Sequence, residues 1–184
     1  MALRATATTW GAITRLFHWG MLVLLATIIP IGYYMTDLPL GARKLQIYAL
    51  HKSIGLTLLG LAILRLLWRF GERRPAPAPM PAWQHKAAGA THVLLYALMF
   101  LIPLSGWLYN SAAGFPLQWF RLVNLPALTA TNPALKATAK EFHETAVAVL
   151  IVLVALHALA ALKHHLFDRD DTLRSMLVAR RGPP

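Results

Sequence analysis

The sequence predicts an all-α integral membrane protein in which residues 1–184 form a single membrane domain, a bundle of four helices. The chain is 57% hydrophobic and only 14% charged, which is too little polar side chain to cover a soluble domain of this length. It also contains apolar stretches that each approach the roughly 20 residues a helix needs to cross a bilayer. These stretches are about Leu16–Met35, Gln46–Trp68, Ala88–Asn110 and Phe142–Leu166.

The stretches are predicted to be helices because only helices and closed barrels satisfy every backbone polar group inside lipid. Their connections are short and contain residues that stop helices. The middle connection is a proline-rich run over residues 73–81, and the last connection carries Gly114-Phe-Pro and Asn132-Pro. This last loop, about Ser111–Glu141, is the longest, and we expect it to carry a short amphipathic helix.

The distribution of basic residues predicts that both termini are cytoplasmic. Of the 18 lysines and arginines, 12 lie in or beside the N-terminus, the middle connection and the C-terminal tail. Cytoplasmic segments carry the excess of such residues in membrane proteins. The remaining six mark the outer side, and they are Arg43, Lys44, Lys52, Arg121, Lys136 and Lys140.

Composition also excludes several functional classes. The chain has no cysteine, so it forms no disulfide, thiolate metal site, iron–sulfur cluster or covalent haem attachment. Its formal net charge is +11, but the basic residues flank apolar runs and form no continuous stripe. Lipid head groups therefore explain the charge better than nucleic acid does, and we expect no nucleic-acid partner.

Four of the eight histidines lie within the apolar stretches, and they are His18, His51, His143 and His157. A single histidine in such a stretch is more often a structural group bonded to a carbonyl oxygen. Several of them at matching depths are much harder to explain in this way, because ionisable residues inside membrane helices are costly.

The spacing of these histidines predicts two pairs. His157 follows His143 by 14 residues, nearly four whole turns, so both lie on one face about 21 Å apart along the helix. His51 opens its stretch on the outer side, at the depth of His143, and His18 opens its stretch on the inner side, at the depth of His157. Two facing imidazoles at each depth are the arrangement that holds a planar haem b between helices.

A metal ion without haem is the rival explanation for this set of histidines. Zinc prefers ligands that converge on one tetrahedral site. Here the histidines form two distant pairs, and no carboxylate or cysteine is available inside the bundle to complete a zinc site. The sequence therefore favours two haem b groups, with His18, His51, His143 and His157 as both cofactor-binding residues and metal ligands.

Three basic residues near these histidines are candidates for binding haem propionates. Arg65 lies 14 residues after His51, at the depth of the inner pair, where a buried guanidinium needs an anionic partner. Arg15 lies one turn before His18, and Lys52 is next to His51. Contact with lipid phosphate is about equally good as an explanation for Arg15 and Lys52.

Five segments in order resemble the bacterial cytochrome b561 family of four-helix, di-haem membrane proteins. They cover nearly the whole chain and are ITRLFHW, LHKSIGLTLLGLAILRLLWR, THVLLYALMFLIPLSGW, EFHETAVAVLIVLVALHALAALKHHLFDRDDTL and RSML. The resemblance implies that the four histidines bind haem and that the protein reacts with quinone in the bacterial inner membrane. Members are similar to superoxide:ubiquinone oxidoreductases, which take electrons from superoxide on the periplasmic side.

The resulting hypothesis is an oxidoreductase that accepts electrons from superoxide, or from another small anionic donor, and reduces ubiquinone across the lipid bilayer. Lys52 and Lys140, together with Lys136, are expected to make the approach to the outer haem positive. The alternative is a cytochrome b subunit that serves a periplasmic dehydrogenase or hydrogenase as its redox partner. A carrier of ions or metals without haem is a third and weaker alternative.

The ubiquinone site is predicted at the inner end of the bundle. His164 follows His157 by two turns on the same face, and Arg65 reaches the depth of the inner pair from the second stretch. His92 and Tyr96, one turn apart, are expected to close the pocket. Reduction of a quinone consumes protons, and His164 is the candidate donor because histidine titrates near neutral pH. Alternatively, His164 only ends the helix and Arg65 binds only a propionate.

Overall fold

The computed structural model describes residues 2–73, 75–76 and 79–177. Its long helices are α1 (Ala12–Asp37), α2 (Ala42–Phe70), α3 (Ala82–Ala112) and α4 (Pro133–Lys163), and each is long and apolar enough to cross a membrane. A hairpin of β1 (Leu117–Trp119) and β2 (Val123–Leu125) lies between α3 and α4. A π-helical turn (His164–Asp168) and the short helix α5 (Arg174–Leu177) follow α4.

The four-helix bundle predicted from the sequence is confirmed. The first three predicted stretches lie within observed helices that extend beyond them at both ends, whereas the fourth, about Phe142–Leu166, continues past the end of α4 into the π-helical turn. The largest extension is at the start of α4, which begins at Pro133 rather than near Phe142. Asn132 explains this start, because its side-chain oxygen accepts a hydrogen bond of 3.0 Å from the backbone N–H of Leu135, and proline is well suited to the first helical position.

Helices that follow one another in the chain pack side by side, α1 on α2, α2 on α3 and α3 on α4. The buried core is small and falls into two clusters. Met21, Ile28, Ile54, Leu58 and Ala62 join α1 to α2, whereas Leu98, Ala146 and Leu150 join α3 to α4. Many other large apolar side chains face outward, which suits a surface surrounded by lipid.

The expectation of an amphipathic helix in the loop before α4 was wrong, because the described loop forms the β1–β2 hairpin instead. The strands are antiparallel, with Leu117 opposite Leu125 and Trp119 opposite Val123. Three-residue strands carry too little periodicity to be read from a sequence. The hairpin is attached to α2, where Ser53 Oγ accepts a hydrogen bond of 2.9 Å from the Phe120 N–H and Thr57 accepts one of 3.0 Å from the Trp119 indole.

We call this end of the bundle the hairpin end; it is the end predicted to face outward. The opposite end, where both terminal segments lie, is the terminal end. There the Glu72 carboxylate accepts hydrogen bonds from the Ala5 N–H, the Thr14 hydroxyl and the Trp68 indole, which attaches the N-terminal segment to α2. The C-terminal segment folds back so that the Met176 carbonyl accepts a hydrogen bond of 2.9 Å from the indole of Trp19.

Candidate haem sites

The four histidines in the long helices lie together as two pairs, one at each end of the bundle. At the hairpin end, the ring centroids of His51 on α2 and His143 on α4 are 6.4 Å apart. At the terminal end, those of His18 on α1 and His157 on α4 are 6.1 Å apart. The pairing matches the one expected from helical depth.

The separation within each pair fits two imidazoles bound to a single metal ion. A metal–imidazole bond is about 2 Å long, and the bonding nitrogen lies about 1 Å from its ring centroid. Two imidazoles on opposite sides of one ion therefore have centroids about 6 Å apart. The observed distances of 6.4 and 6.1 Å agree with this value. Each pair would therefore be able to hold a haem iron between its two imidazoles.

His143 is held in the tautomer that a haem ligand requires. Its Nδ1 lies 2.9 Å from the carbonyl oxygen of Ile102 and 3.2 Å from the hydroxyl of Ser105. A carbonyl oxygen only accepts, so Nδ1 carries the proton and donates it. The lone pair is then left on Nε2, and such a hydrogen bond on the far nitrogen also orients a metal ligand.

Two glycines make room for the rings of the pair at the hairpin end. A Cβ atom on Gly32 of α1 would lie 3.0 Å from Cε1 of His51, and one on Gly106 of α3 would lie 3.1 Å from Cε1 of His143. Gly55, one turn after His51 on α2, does not face the ring, because a Cβ there would lie 3.6 Å from Cδ1 of Ile28.

Basic and aromatic side chains surround the pair at the terminal end. Arg65 places Nη2 at 3.5 Å from Nδ1 of His18, and its guanidinium lies over the ring of Tyr96 at 5.4 Å from the centroid. Arg69 contacts the same tyrosine ring at 5.5 Å, and the His92 ring lies 5.5 Å from the His157 ring. Arg65, His92 and Tyr96 therefore meet beside this pair.

Arg15 is almost fully buried at this same end, with only 7% of its surface exposed. Its Nη1 atom is buried and has no hydrogen-bond partner among the described residues. Among the residues that the structure describes, Lys140, Lys163 and His164 form ion pairs with carboxylates, whereas Arg15 and Arg65 form none. The buried guanidinium of Arg15 and the half-buried one of Arg65 fit an anionic partner such as a haem propionate.

The lysines expected near the outer haem differ in their surroundings. Lys52 donates hydrogen bonds to Asn110 Oδ1 at 3.1 Å and to the Pro116 carbonyl at 3.0 Å, both of which are neutral acceptors. Lys140 instead forms an exposed salt bridge of 2.7 Å with Glu144, one turn further along α4. The charge of Lys140 is therefore largely balanced, and Lys52 and the exposed Lys136 are the stronger sources of positive potential.

His164 lies in the π-helical turn, where its Nδ1 is 2.7 Å from Oδ2 of Asp170 and 3.1 Å from Oδ2 of Asp168. Carboxylates only accept, so Nδ1 donates, and Nε2 forms no hydrogen bond with the residues that the structure describes. Burial raises the pKa of Asp170, but hydrogen bonds from Thr172 and His164 outweigh it and hold this pKa below its usual range.

The possible metal-ligand atoms of His164, Asp168 and Asp170 lie within 4.8 Å of one another. The Lys163 ammonium is 2.6 Å from Asp168, however, and already balances that carboxylate. Sequence inspection missed both aspartates as partners of His164. The spacing of four residues to Asp168 was a readable signal, whereas the contact with Asp170 requires the left-handed backbone at Arg169, where φ is 54°.

Sequence comparisons place these features in a family. Residues 9–178 match the family model described as prokaryotic cytochrome b561. The chain is 34% identical to cytochrome b561 homolog 2 of Escherichia coli (strain K12), over 96% of this chain and 95% of that protein. It is 32% identical to cytochrome b561 homolog 1 of the same organism, over 89% and 94%. It is also 31% identical to the probable superoxide oxidase CybB of Yersinia pestis, over 72% and 76%.

Proposed function

The chain belongs to the prokaryotic cytochrome b561 family of multi-pass inner-membrane electron-transfer proteins, and from this premise we propose that it oxidises superoxide and reduces ubiquinone. The observation that carries the proposal is the presence of two close imidazole pairs, one at each end of a membrane-spanning bundle. Bound haem would supply a one-electron redox couple at each end.

In this proposal His51 and His143 hold one haem b at the hairpin end, and His18 and His157 hold the other at the terminal end. Ile102 and Ser105 fix the orientation of the His143 ring through Nδ1. Arg15 and Arg65 bind propionates at the terminal end, which would supply the anionic partners that neither guanidinium has among the described residues. Both termini face the cytoplasm, as the distribution of lysine and arginine predicts.

The proposed donor is superoxide because the hairpin end is basic and a relative named as a probable superoxide oxidase covers most of the chain. Superoxide loses one electron and becomes dioxygen, so the protein needs to attract a small anion and to form no bond with it. Lys52, whose hydrogen bonds within the described part of the chain go to neutral oxygens, and Lys136, exposed on α4, can attract an anion electrostatically.

Reversing the charge of Lys136 tests this donor. Superoxide-driven reduction of the purified protein in nanodiscs is expected to slow several-fold in Lys136→Glu and to slow in the parent as salt is raised. The measurement is stopped-flow haem absorbance at several ionic strengths. Lys86→Glu is the matched control, because it makes the same charge change at an exposed position near the other end of the bundle. Absence of reduction by superoxide would instead favour a periplasmic dehydrogenase or hydrogenase as donor.

The proposed ubiquinone site lies at the terminal end, where Arg65, His92 and Tyr96 meet beside the His18–His157 pair. Ubiquinone takes up two electrons and two protons to become ubiquinol. His164 is the proposed proton donor: while Asp168 and Asp170 hold its Nδ1–H, the imidazolium form carries a second proton on Nε2 that it gives to a quinone oxygen before it is protonated again. Protons would then come from the cytoplasmic side.

A His164→Ala variant tests the acceptor site. It is expected to keep both haems and to reoxidise with ubiquinone about 10²-fold more slowly than the parent, the lower end of what a positioned general acid contributes. The measurement is reoxidation of the prereduced protein by a short-chain ubiquinone, followed by haem absorbance. His85→Ala, an exposed histidine near the start of α3, is the control and should behave like the parent. Unchanged reoxidation of His164→Ala would exclude His164 from the quinone site.

A further inference from the structure

A cavity of about 180 Å³ lies between α2 and the β1–β2 hairpin. Its walls include Gln46, Leu50 and Ser53 from the helix and Gln118, Phe120 and Arg121 from the hairpin. The three helix residues follow one another at intervals of four and three, so they share one face of α2. His51 points about 100° or more away from each of them. The cavity therefore opens away from the paired histidines and is separate from the proposed haem sites.

The tip of the hairpin has an unusual backbone conformation. Phe120 and Arg121 have φ angles of 47° and 62°, a left-handed conformation that bulky residues rarely adopt. Hydrogen bonds maintain this conformation, since the Leu122 N–H donates to the Trp119 carbonyl at 2.9 Å and the Phe120 N–H donates to Ser53 Oγ at 2.9 Å. Backbone strain of this kind is concentrated at functional sites, and both Phe120 and Arg121 line the cavity.

The cavity combines a cation with polar and apolar walls. Arg121 takes part in no ion pair found among the described residues. The amide of Gln46 adds a hydrogen-bonding group, and Leu50 provides an apolar wall with 39% of its surface exposed. An anionic group would complement the arginine, and a hydrocarbon chain attached to that group could run along the exposed apolar surface of α2.

The position of the cavity indicates the source of such an anion. The hairpin exposes Trp119, Phe120, Leu122 and Val123 by 37%, 45%, 76% and 52%, beside the first half of the membrane-spanning helix α2. Exposed aromatic and apolar side chains at this level are typical of a surface that lies in the membrane interface. Gln46 is the first residue of the predicted span of α2, so this end of the cavity is expected at the level of the phospholipid phosphate groups, where a lipid head group can reach it without leaving the bilayer.

We propose that Arg121 and Gln46 bind the phosphate of an anionic phospholipid in this cavity. The volume of about 180 Å³ is below the roughly 300 Å³ at which sites for complete drug-sized ligands begin. It suits a head group whose acyl chains remain outside, along α2. The bound lipid would hold the hairpin against the helix. This proposal does not depend on the identity of the electron donor or acceptor.

The test is native mass spectrometry of the haem-loaded, detergent-solubilised protein titrated with phosphatidylglycerol. Arg121→Gln is expected to weaken phosphatidylglycerol binding by at least about tenfold, the effect of losing one charge-assisted hydrogen bond. Lys136→Gln is the matched control, because it removes one positive charge at the same end but outside the cavity. Phosphatidylcholine, which has no net charge, should bind more weakly to the parent.

Three outcomes would overturn the proposal. The first is equal phosphatidylglycerol binding by the parent and Arg121→Gln. The second is displacement of the lipid by inorganic phosphate at equal concentration, which would make the site one for a free anion. The third is competition by a short-chain ubiquinone, which would make it a quinone site. If Arg121→Gln loses its haem spectrum, Gln46→Ala takes its place with the same expected direction, because Gln46 is exposed and lines the same cavity.

Discussion

Replacing His51 or His143 by alanine is expected to remove the same haem and to leave the other in place. Each haem would be held by two imidazoles from different helices and by no covalent bond to the chain, so the loss of either imidazole is expected to release it. His18→Ala and His157→Ala are expected to remove the second haem in the same way. The haem content measured as the pyridine adduct should fall from about two to about one per chain in all four variants.

The pairing itself is tested by the spectra of these variants. The parent should contain only low-spin haem, and His51→Ala and His143→Ala should retain one common spectrum, distinct from the one that His18→Ala and His157→Ala retain. His85→Ala should keep both haems, because His85 is exposed near the start of α3. A parent with one haem, or a spectrum shared between His51→Ala and His18→Ala, would contradict the proposed sites.

The two glycines beside the hairpin-end pair provide the second large effect. Gly106→Val and Gly32→Val are expected to lose the haem at the hairpin end and to keep the one at the terminal end. Even a Cβ would lie 3.1 Å from His143 in the first variant and 3.0 Å from His51 in the second, so each ring must move out of its position. A shift of about 1 Å in a ligand is enough to disrupt a metal site that depends on geometry.

Matched controls separate this effect from the general cost of valine in a helix. Gly89 is on α3, like Gly106, and Gly20 is on α1, like Gly32, and a Cβ on either would have no atom within 4 Å. Gly89→Val and Gly20→Val are therefore expected to keep the hairpin-end haem, as measured by the same absorbance and haem content. Retention of this haem in Gly106→Val and Gly32→Val would show that the histidine rings do not need the space.

Hydropathy was sufficient to find the four helices because lipid allows few other structures. Once a stretch is long enough to span the bilayer and cannot leave its backbone groups unpaired, it forms a helix. The loop before α4 has no such constraint. Its conformation depends on contacts with α2, such as those of Phe120 with Ser53 and Trp119 with Thr57, and these residues are far from the loop in sequence.

The contacts of individual side chains were predicted less well. The salt bridge of Lys140 with Glu144 spans one helical turn, so the sequence contained a signal for it that was not used. The stacking of Arg65 on Tyr96 joins α2 to α3, and its position could not be read from either helix alone. Similarly, Asp170 reaches His164 only because the chain reverses after the π-helical turn.

The sequence by itself determined the number of membrane helices and the depth of each histidine within them. Both follow from distances along one chain, since a helix rises about 1.5 Å per residue and lipid fixes where the helix begins and ends. Only the tertiary structure decided which atoms meet, including the Ile102 carbonyl on His143 and the two glycines against the imidazole rings. These contacts depend on how far each helix rotates about its axis, and that rotation is set by packing between helices.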